Sequence, residues 1–189
     1  MPLKSTNPAP KLFLRSQLFS FSFTQGAYSL LTFPERVYTE EEHKKAKQLI
    51  DGGYKHELTV RGDEAFVEKV KKSLELAKTA DCYDFLRTYL RQIIEIDGIT
   101  QLRETEVAIW ANKFAVENVV DFASLLIQKA HHMKEYLEGE LYYGGASEKR
   151  TVQKRIEFLE LLKRKTTNKT VRIECERLLE MWRESSLAY

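Results

Sequence analysis

The sequence has no run of apolar residues close to the roughly 18 to 20 that a membrane-spanning helix needs. Prolines and glycines are scarce, with four and eight among 189 residues, which fits one soluble domain. The formal net charge is only +2, from 30 basic and 28 acidic residues, so no field of one sign favours nucleic acid or anionic lipid. We therefore expect a protein that binds neither membranes nor nucleic acid.

Cysteine is nearly absent, since only Cys82 and Cys175 occur, far apart in the sequence. Their spacing matches no metal-binding motif, and two thiols cannot form the disulfide framework of a small secreted domain. We expect both to be buried thiols in a reducing compartment, and hence a cytoplasmic protein. A single disulfide between them is the alternative.

The N-terminal segment, residues 1–34, contains no acidic residue, and Glu35 is the first one in the chain. Within this segment, the stretch from Leu12 to Phe23 alternates apolar and polar side chains, which predicts a half-buried strand. The basic, serine-containing composition of residues 1–34 is also typical of a targeting segment, which is the alternative interpretation. We expect residues 1–189 to form a single domain, with 1–34 as a strand or hairpin extension of it.

Periodic patterns in the rest of the chain predict helices and strands. Thr39 and Glu42 form a capping-box pattern that starts a helix ending near Ile50. Further helices are predicted at about 66–77, 85–93, 120–139, 147–162 and 171–182, and strands at 54–60, 94–97 and 106–110. Since strands come early and helices late, we expect an α+β fold in which a small mixed or antiparallel sheet packs on several helices, with a helical C-terminal half.

The segment Gln128-Lys129-Ala130-His131-His132 lies where the helix of a zinc hydrolase carries the motif H-E-x-x-H. In that motif two histidines one helical turn apart bind zinc from one helix face, and the glutamate between them polarises the metal-bound water. Here Gln128 stands for the first histidine and Lys129 for the glutamate, whereas His132 keeps the second histidine. The chain therefore has half of a metal-binding motif and lacks its catalytic base.

Together with its surroundings, this segment resembles the core of small zincin-type metallopeptidase domains over residues 105–162. In those domains an edge strand precedes the metal-binding helix, and a glutamate of the next helix often completes the site. The resemblance implies that strand 106–110 is such an edge strand and that Glu148 is the third ligand. The vestigial site that it assigns consists of Gln128, Lys129, His132 and Glu148.

The departures from the motif predict a protein that no longer hydrolyses peptide bonds by the zincin mechanism. An amide oxygen is a poorer zinc ligand than an imidazole, so Gln128 weakens the site. Lys129 cannot replace a carboxylate base at neutral pH unless its pKa is strongly depressed, and its ammonium repels a cation. We expect a catalytically inactive scaffold or binding protein with no cofactor, whose partner is an unknown protein or peptide.

Two other functions fit the same residues. One is a metal-dependent hydrolase with a rearranged site, in which His131, His132 and Glu148 hold zinc and a carboxylate such as Glu135 serves as the base. The other is a homo-oligomeric interaction module, in which the two histidines belong to an ordinary polar helix face. Convergence of Gln128, His132 and Glu148 in the folded chain would favour a zincin-like site over such a module.

Two further clusters flank the segment. A basic strip on the next helix comprises Lys149, Arg150, Lys154 and Arg155. Because acidic residues interleave it, a solvated helix face is favoured over a phosphate-binding patch.

Three tyrosines gather where the preceding helix ends: Tyr136, Tyr142 and Tyr143. They fit either a cleft or partner surface, or core packing.

Overall fold

The computed structural model describes residues 32–186, so the strand predicted at 12–23 lies outside the described residues. From Phe33 onward the described chain forms one compact unit. Its elements in chain order are α1 (Glu40–Asp51), β1 (Thr59–Arg61), α2 (Glu64–Thr79), α3 (Tyr83–Tyr89), β2 (Gln92–Ile96), β3 (Gln101–Arg103), β4 (Ala108–Asn112), α4 (Val119–Glu138), α5 (Gly145–Lys165) and α6 (Lys169–Ser186). The predicted α+β class, small mixed sheet and helical C-terminal half are confirmed. No helix in this part of the chain is long and apolar enough to cross a bilayer.

The four strands form one sheet in the order β1-β2-β4-β3. Strand β2 runs parallel to both β1 and β4, and β3 pairs antiparallel with β4. Ile93 and Ile109 are paired in the two central strands, and both side chains are fully buried. Strand β4 thus has a partner on each side, so the expectation that an edge strand precedes the candidate metal helix is wrong.

Two predicted boundaries differ because tertiary contacts override the sequence pattern. Strand β1 begins only at Thr59, since Leu58 has φ +43° and the His56 N–H donates to the carbonyl of Arg87 at 2.8 Å. Helix α3 ends at Tyr89, and the next residue, Leu90, is extended at φ −131° and ψ 126°. The apolar spacing that suggested a helix up to residue 93 therefore continues into β2.

The strand predicted at 106–110 begins two residues later. A short 3-10 turn, Glu104–Glu106, comes first and ends at Val107, whose φ of 55° is left-handed. This turn brings Glu104 close enough to α4 for its charge to act on Lys129.

Residues 33–38, which we call the strap, precede α1 and are hydrogen-bonded to residues that flank β2 and β4. The Val37 N–H donates to the carbonyl of Thr105 at 2.9 Å, and the guanidinium of Arg91 donates to the carbonyls of Pro34 and Glu35. At the end of the strap, the predicted capping box of Thr39 is present and starts α1.

Helix α4 is the central helix, since it contacts each of the other five helices of the described chain. The Asn118 side chain caps its first turn by accepting from the N–H groups of Val120 and Asp121 at 3.1 and 3.0 Å. Its end is set by Gly139, which adopts φ +73°, the left-handed conformation that favours glycine. The predicted span of this helix is confirmed.

Both cysteines are free thiols, as predicted, and the alternative of a disulfide between them is wrong. Cys175 is fully buried in α6, and Cys82 is half-buried just before α3. Burial raises the pKa of the Cys175 thiol to about 11, so it stays protonated and packs as a small apolar side chain.

Candidate functional site

Polar side chains line the interface between α4 and α5 along its whole length. On α4 they recur every three or four residues, which places them on one helix face. They are Asp121, Ser124, Gln128, His132 and Glu135. The facing residues of α5 are Ser147, Glu148, Thr151 and Arg155. We call these nine residues the polar seam, and it contains three of the four residues predicted for the vestigial site.

The structure brings Gln128, His132 and Glu148 together at the first turn of α5. The Gln128 Nε2 donates to one Glu148 oxygen at 3.1 Å, and the His132 Nε2 lies 3.7 Å from the other. Gln128 and His132 are buried at 5% exposure, whereas the Glu148 side chain is 43% exposed. Of these three residues, only Glu148 is therefore accessible to solvent.

The atoms that would bind a metal already have partners within the protein. The Gln128 oxygen accepts from Arg155 Nη1 at 3.1 Å while its nitrogen donates to Glu148, so both ends of the amide are bonded. The His132 Nε2 lies 2.7 Å from the hydroxyl oxygen of Thr151. Burial, and next the charge of Lys129, lower the pKa of His132, so its imidazole is neutral at neutral pH.

Arg155 holds the upper half of the seam together. It is only 4% exposed and donates to Ser124 Oγ at 2.7 Å, to Asp121 Oδ1 at 2.6 Å and to Gln128. Its guanidinium also lies 4.0 Å above the ring of Trp182 in α6. A fixed positive charge thus sits beside the amide that the resemblance assigns as a ligand, and it would repel a metal cation there.

The prediction of a solvated face was wrong for Arg155. Helical spacing indicates that Arg155 is on the buried face of α5, because it lies four residues after Thr151 and four before Leu159, both of which are buried. The other strip residues fit the prediction better. Lys149 is exposed, and Lys154 pairs with Glu157 on the surface at 2.8 Å.

His131 takes no part in the seam. Its ring centroid lies 4.4 Å from that of Phe85 in α3, and it lines a groove of about 430 Å³ together with Lys134 and Lys154. Burial, followed by the charges of those two lysines, lowers the pKa of His131 to about 4. The structure thus does not bring His131 to Glu148 as the rearranged metal site requires. Within residues 32–186, no group of three or more His, Cys, Asp or Glu side chains is arranged to hold a metal ion.

Glu135 closes the lower end of the seam. Its carboxylate accepts from Ser147 Oγ at 2.6 Å and from Arg150 Nε at 2.8 Å, and Arg150 also donates to the carbonyl of Leu141. Burial raises the pKa of Glu135, but the hydrogen bonds from Arg150 and Ser147 outweigh it and lower the pKa overall. The carboxylate is therefore held ionised by structural partners, which leaves it poorly suited to act as a general base.

Lys129, like His131, is a predicted site residue that lies off the seam. Its side chain is half-buried and makes no hydrogen bond or ion pair with another described residue. Burial lowers the pKa of this lysine, and the nearby carboxylates Glu148 and Glu104 act in the opposite direction.

The three predicted tyrosines form a chain of edge-to-face ring contacts. Ring centroids are 5.1 Å apart between Tyr136 and Tyr142, and 5.4 Å apart between Tyr142 and Tyr143. The Tyr136 hydroxyl donates to the carbonyl of Val37 in the strap at 2.6 Å, and burial raises the pKa of Tyr136 to about 12. Tyr143 is 65% exposed, so the cluster runs from the core to the surface.

Comparisons with known proteins add no further residue to this site. No protein-family model matches the chain, and neither a curated protein nor a solved structure matches it significantly.

Proposed function

We propose that this chain is a binding protein without hydrolytic activity, built on a scaffold that resembles the zincin core. The observation that supports this most is the bridging of the Gln128 amide between Glu148 and Arg155. Gln128 and Glu148 occupy positions at which a zincin site would bind its metal, and here their hydrogen bonds hold α4 against α5. The site then serves to fix the scaffold.

Catalysis by the zincin mechanism needs a metal-bound water and a carboxylate base. Lys129 occupies the position of the base and carries an amine, which cannot polarise the water as a carboxylate does. The rearranged alternative, with Glu135 as base, is less well supported because that carboxylate accepts from Ser147 and Arg150.

We assign the partner surface to the loop between α4 and α5. Leu141 and Tyr143 are 55% and 65% exposed, and they precede the partly exposed carboxylate of Glu148. Exposed apolar and aromatic side chains within a few residues of an acidic group in the sequence are suited to an extended peptide or a protein segment with a basic residue.

Zinc titration of purified, chelator-treated protein tests the first half of the proposal. We expect no stoichiometric metal by elemental analysis, and equal weak titrations for wild type, His132→Ala and Glu148→Ala. Glu157→Ala is the matched control, since that carboxylate lies on the exposed face of the same helix. Near-stoichiometric zinc that His132→Ala and Glu148→Ala abolish and Glu157→Ala retains would overturn the proposal and support the hydrolase.

Peptide display tests the second half. Peptides selected on the wild-type protein should lose affinity for Tyr143→Ser and Glu148→Ala but keep it for Glu157→Ala. Selected peptides that bind all three variants equally would place the partner surface elsewhere.

A further inference from the structure

A pocket of about 350 Å³, which we call the α1 pocket, lies between α1 and the C-terminal end of α4. Its lining includes Tyr38 of the strap, His43, Lys44 and Lys47 of α1, and Leu137 and Gly139 at the end of α4. Leu137 is buried and Tyr38 is 76% exposed, so the lining offers both enclosed apolar surface and an accessible aromatic ring. The volume is at the lower end for ligand pockets, which fits one side chain of a partner.

The charges around the α1 pocket favour an anionic group. Lys44 and Lys47 make no hydrogen bond or ion pair with another described residue. Of the two carboxylates in the lining, Glu138 is paired with Lys134, whereas Glu40 has no partner among the described residues. Two unpaired amines therefore outnumber one unpaired carboxylate. Because the C-terminal end of α4 carries partial negative charge, a ligand carboxylate is favoured on the α1 side of the pocket.

A row of aromatic rings leads from this pocket to the loop between α4 and α5. The His43 ring centroid lies 4.6 Å from that of Tyr136, which lies 5.1 Å from that of Tyr142, and Tyr143 follows at 5.4 Å. The rings of His43 and Tyr143 are therefore at most about 15 Å apart. Since an extended chain rises about 3.3 Å per residue, a step of four residues covers about 13 Å and nearly spans the row.

We propose that the α1 pocket and the row of rings bind an extended peptide segment with a carboxylate side chain at one position and apolar side chains two and four residues away. In an extended chain these three side chains lie on one face. The carboxylate pairs with Lys44 and Lys47, and the most distant apolar side chain contacts Tyr143. This inference rests on the proposed partner surface at the loop between α4 and α5, and it extends that surface to α1.

Titration of the isotope-labelled full chain, followed by amide chemical shifts, tests this assignment. The probe is a blocked pentapeptide with glutamate first, leucine third and fifth, and threonine between them, together with the same peptide in reverse order. At millimolar concentration we expect one of the two to shift amides within residues 38–47 and 139–143. Replacing its glutamate with glutamine, or moving the leucine farthest from the glutamate by one position to the opposite face, should weaken binding by about fivefold or more.

Two lysine variants separate pairing with the pocket from general attraction to α1. Replacing both Lys44 and Lys47 with alanine should weaken the glutamate peptide by about fivefold or more, and both side chains are exposed, so the fold is retained. Lys45→Ala is the matched control, because Lys45 belongs to the same helix, does not line the pocket and has no ion pair with the described residues. It should bind like wild type.

Tyr143→Ser distinguishes a failure of this inference from a failure of the proposed function. Equal binding by wild type and the double lysine variant would overturn the α1 pocket as an anchor, whereas weaker binding by Tyr143→Ser in the same titration would leave the loop surface standing. Absence of shifts within residues 38–47 with both peptides would also overturn the inference, and the display experiment would then decide the loop surface alone.

Discussion

Replacing Arg155 with methionine gives the sharpest test of the polar seam. Methionine retains most of the buried stem but removes the guanidinium that bonds Ser124, Gln128 and Asp121. Ser124 still donates to the carbonyl of Asp121 at 2.7 Å, and the 32%-exposed Asp121 side chain can be rehydrated. The Gln128 oxygen, however, is left buried without a partner.

The magnitude follows from these separate losses. An unsatisfied buried amide oxygen costs about 1–3 kcal/mol. Loss of the cation above Trp182 adds about 0.5–2 kcal/mol. Since the exposed Asp121 recovers most of its hydration, we expect the free energy of unfolding to fall by about 2–4 kcal/mol. For a chain of this size that corresponds to a decrease in Tm of roughly 4–16 °C.

Urea unfolding followed by circular dichroism measures this loss, and Lys154→Met is the matched control. Lys154 is the preceding residue, is 44% exposed and pairs only on the surface, so its substitution should change stability by less than about 0.5 kcal/mol. A similarly small effect of Arg155→Met would refute the reasoning. The double variant with Gln128→Leu should lose less than the sum of the single losses, because no amide then remains unsatisfied.

Three further predictions concern the rest of the fold. A Cβ on Gly62 would lie 2.6 Å from Phe66 Cδ1, so Gly62→Ala should lower the free energy of unfolding by about 1–3 kcal/mol. The control is Gly98→Ala, which should be nearly neutral in the same urea titration because the atom nearest to its Cβ is 3.4 Å away. Tyr136→Phe should cost about 1 kcal/mol through loss of its hydrogen bond to the strap, and equal stabilities would contradict that role. Burial lowers the pKa of His56 from 6.5 to about 4 in the folded state. As the pH falls, His56 is therefore protonated in the unfolded state before it is protonated in the folded state, and the free energy of unfolding should fall by up to about 3 kcal/mol between pH 6.5 and pH 4. Unfolding of His56→Phe at several pH values should show a shallower decline, and an unchanged decline would refute this assignment.

Local signals in the sequence predicted the helices well. The capping box of Thr39 and the end of α4 at Gly139 depend on residues within a few positions of one another, so the sequence contains the whole interaction. Strand β1 was predicted too long because the backbone of His56 bonds to a residue 31 positions later, which no local pattern records. The inner position of β4 likewise depends on pairing with two other strands.

The candidate site was predicted in part. The helical spacing of Gln128 and His132 placed them on one face, and Glu148 meets them as that hypothesis required. His131 could not be separated from His132 by residue type, and only the contact with Phe85 shows that it points elsewhere. Arg155 was missed because a charged residue in a basic strip suggests solvent, while its partners lie about 30 residues away on α4.

The polar seam also fixes how far α5 can slide along α4. Apolar helix surfaces tolerate axial shifts, because one leucine contact resembles another, but hydrogen bonds are specific in distance and direction. A shift by one turn, about 5.4 Å, would separate Arg155 from Gln128 and Glu135 from Ser147 at the same time. The two helices therefore have a single axial alignment, and changes at facing seam positions should be tolerated only in compensating pairs.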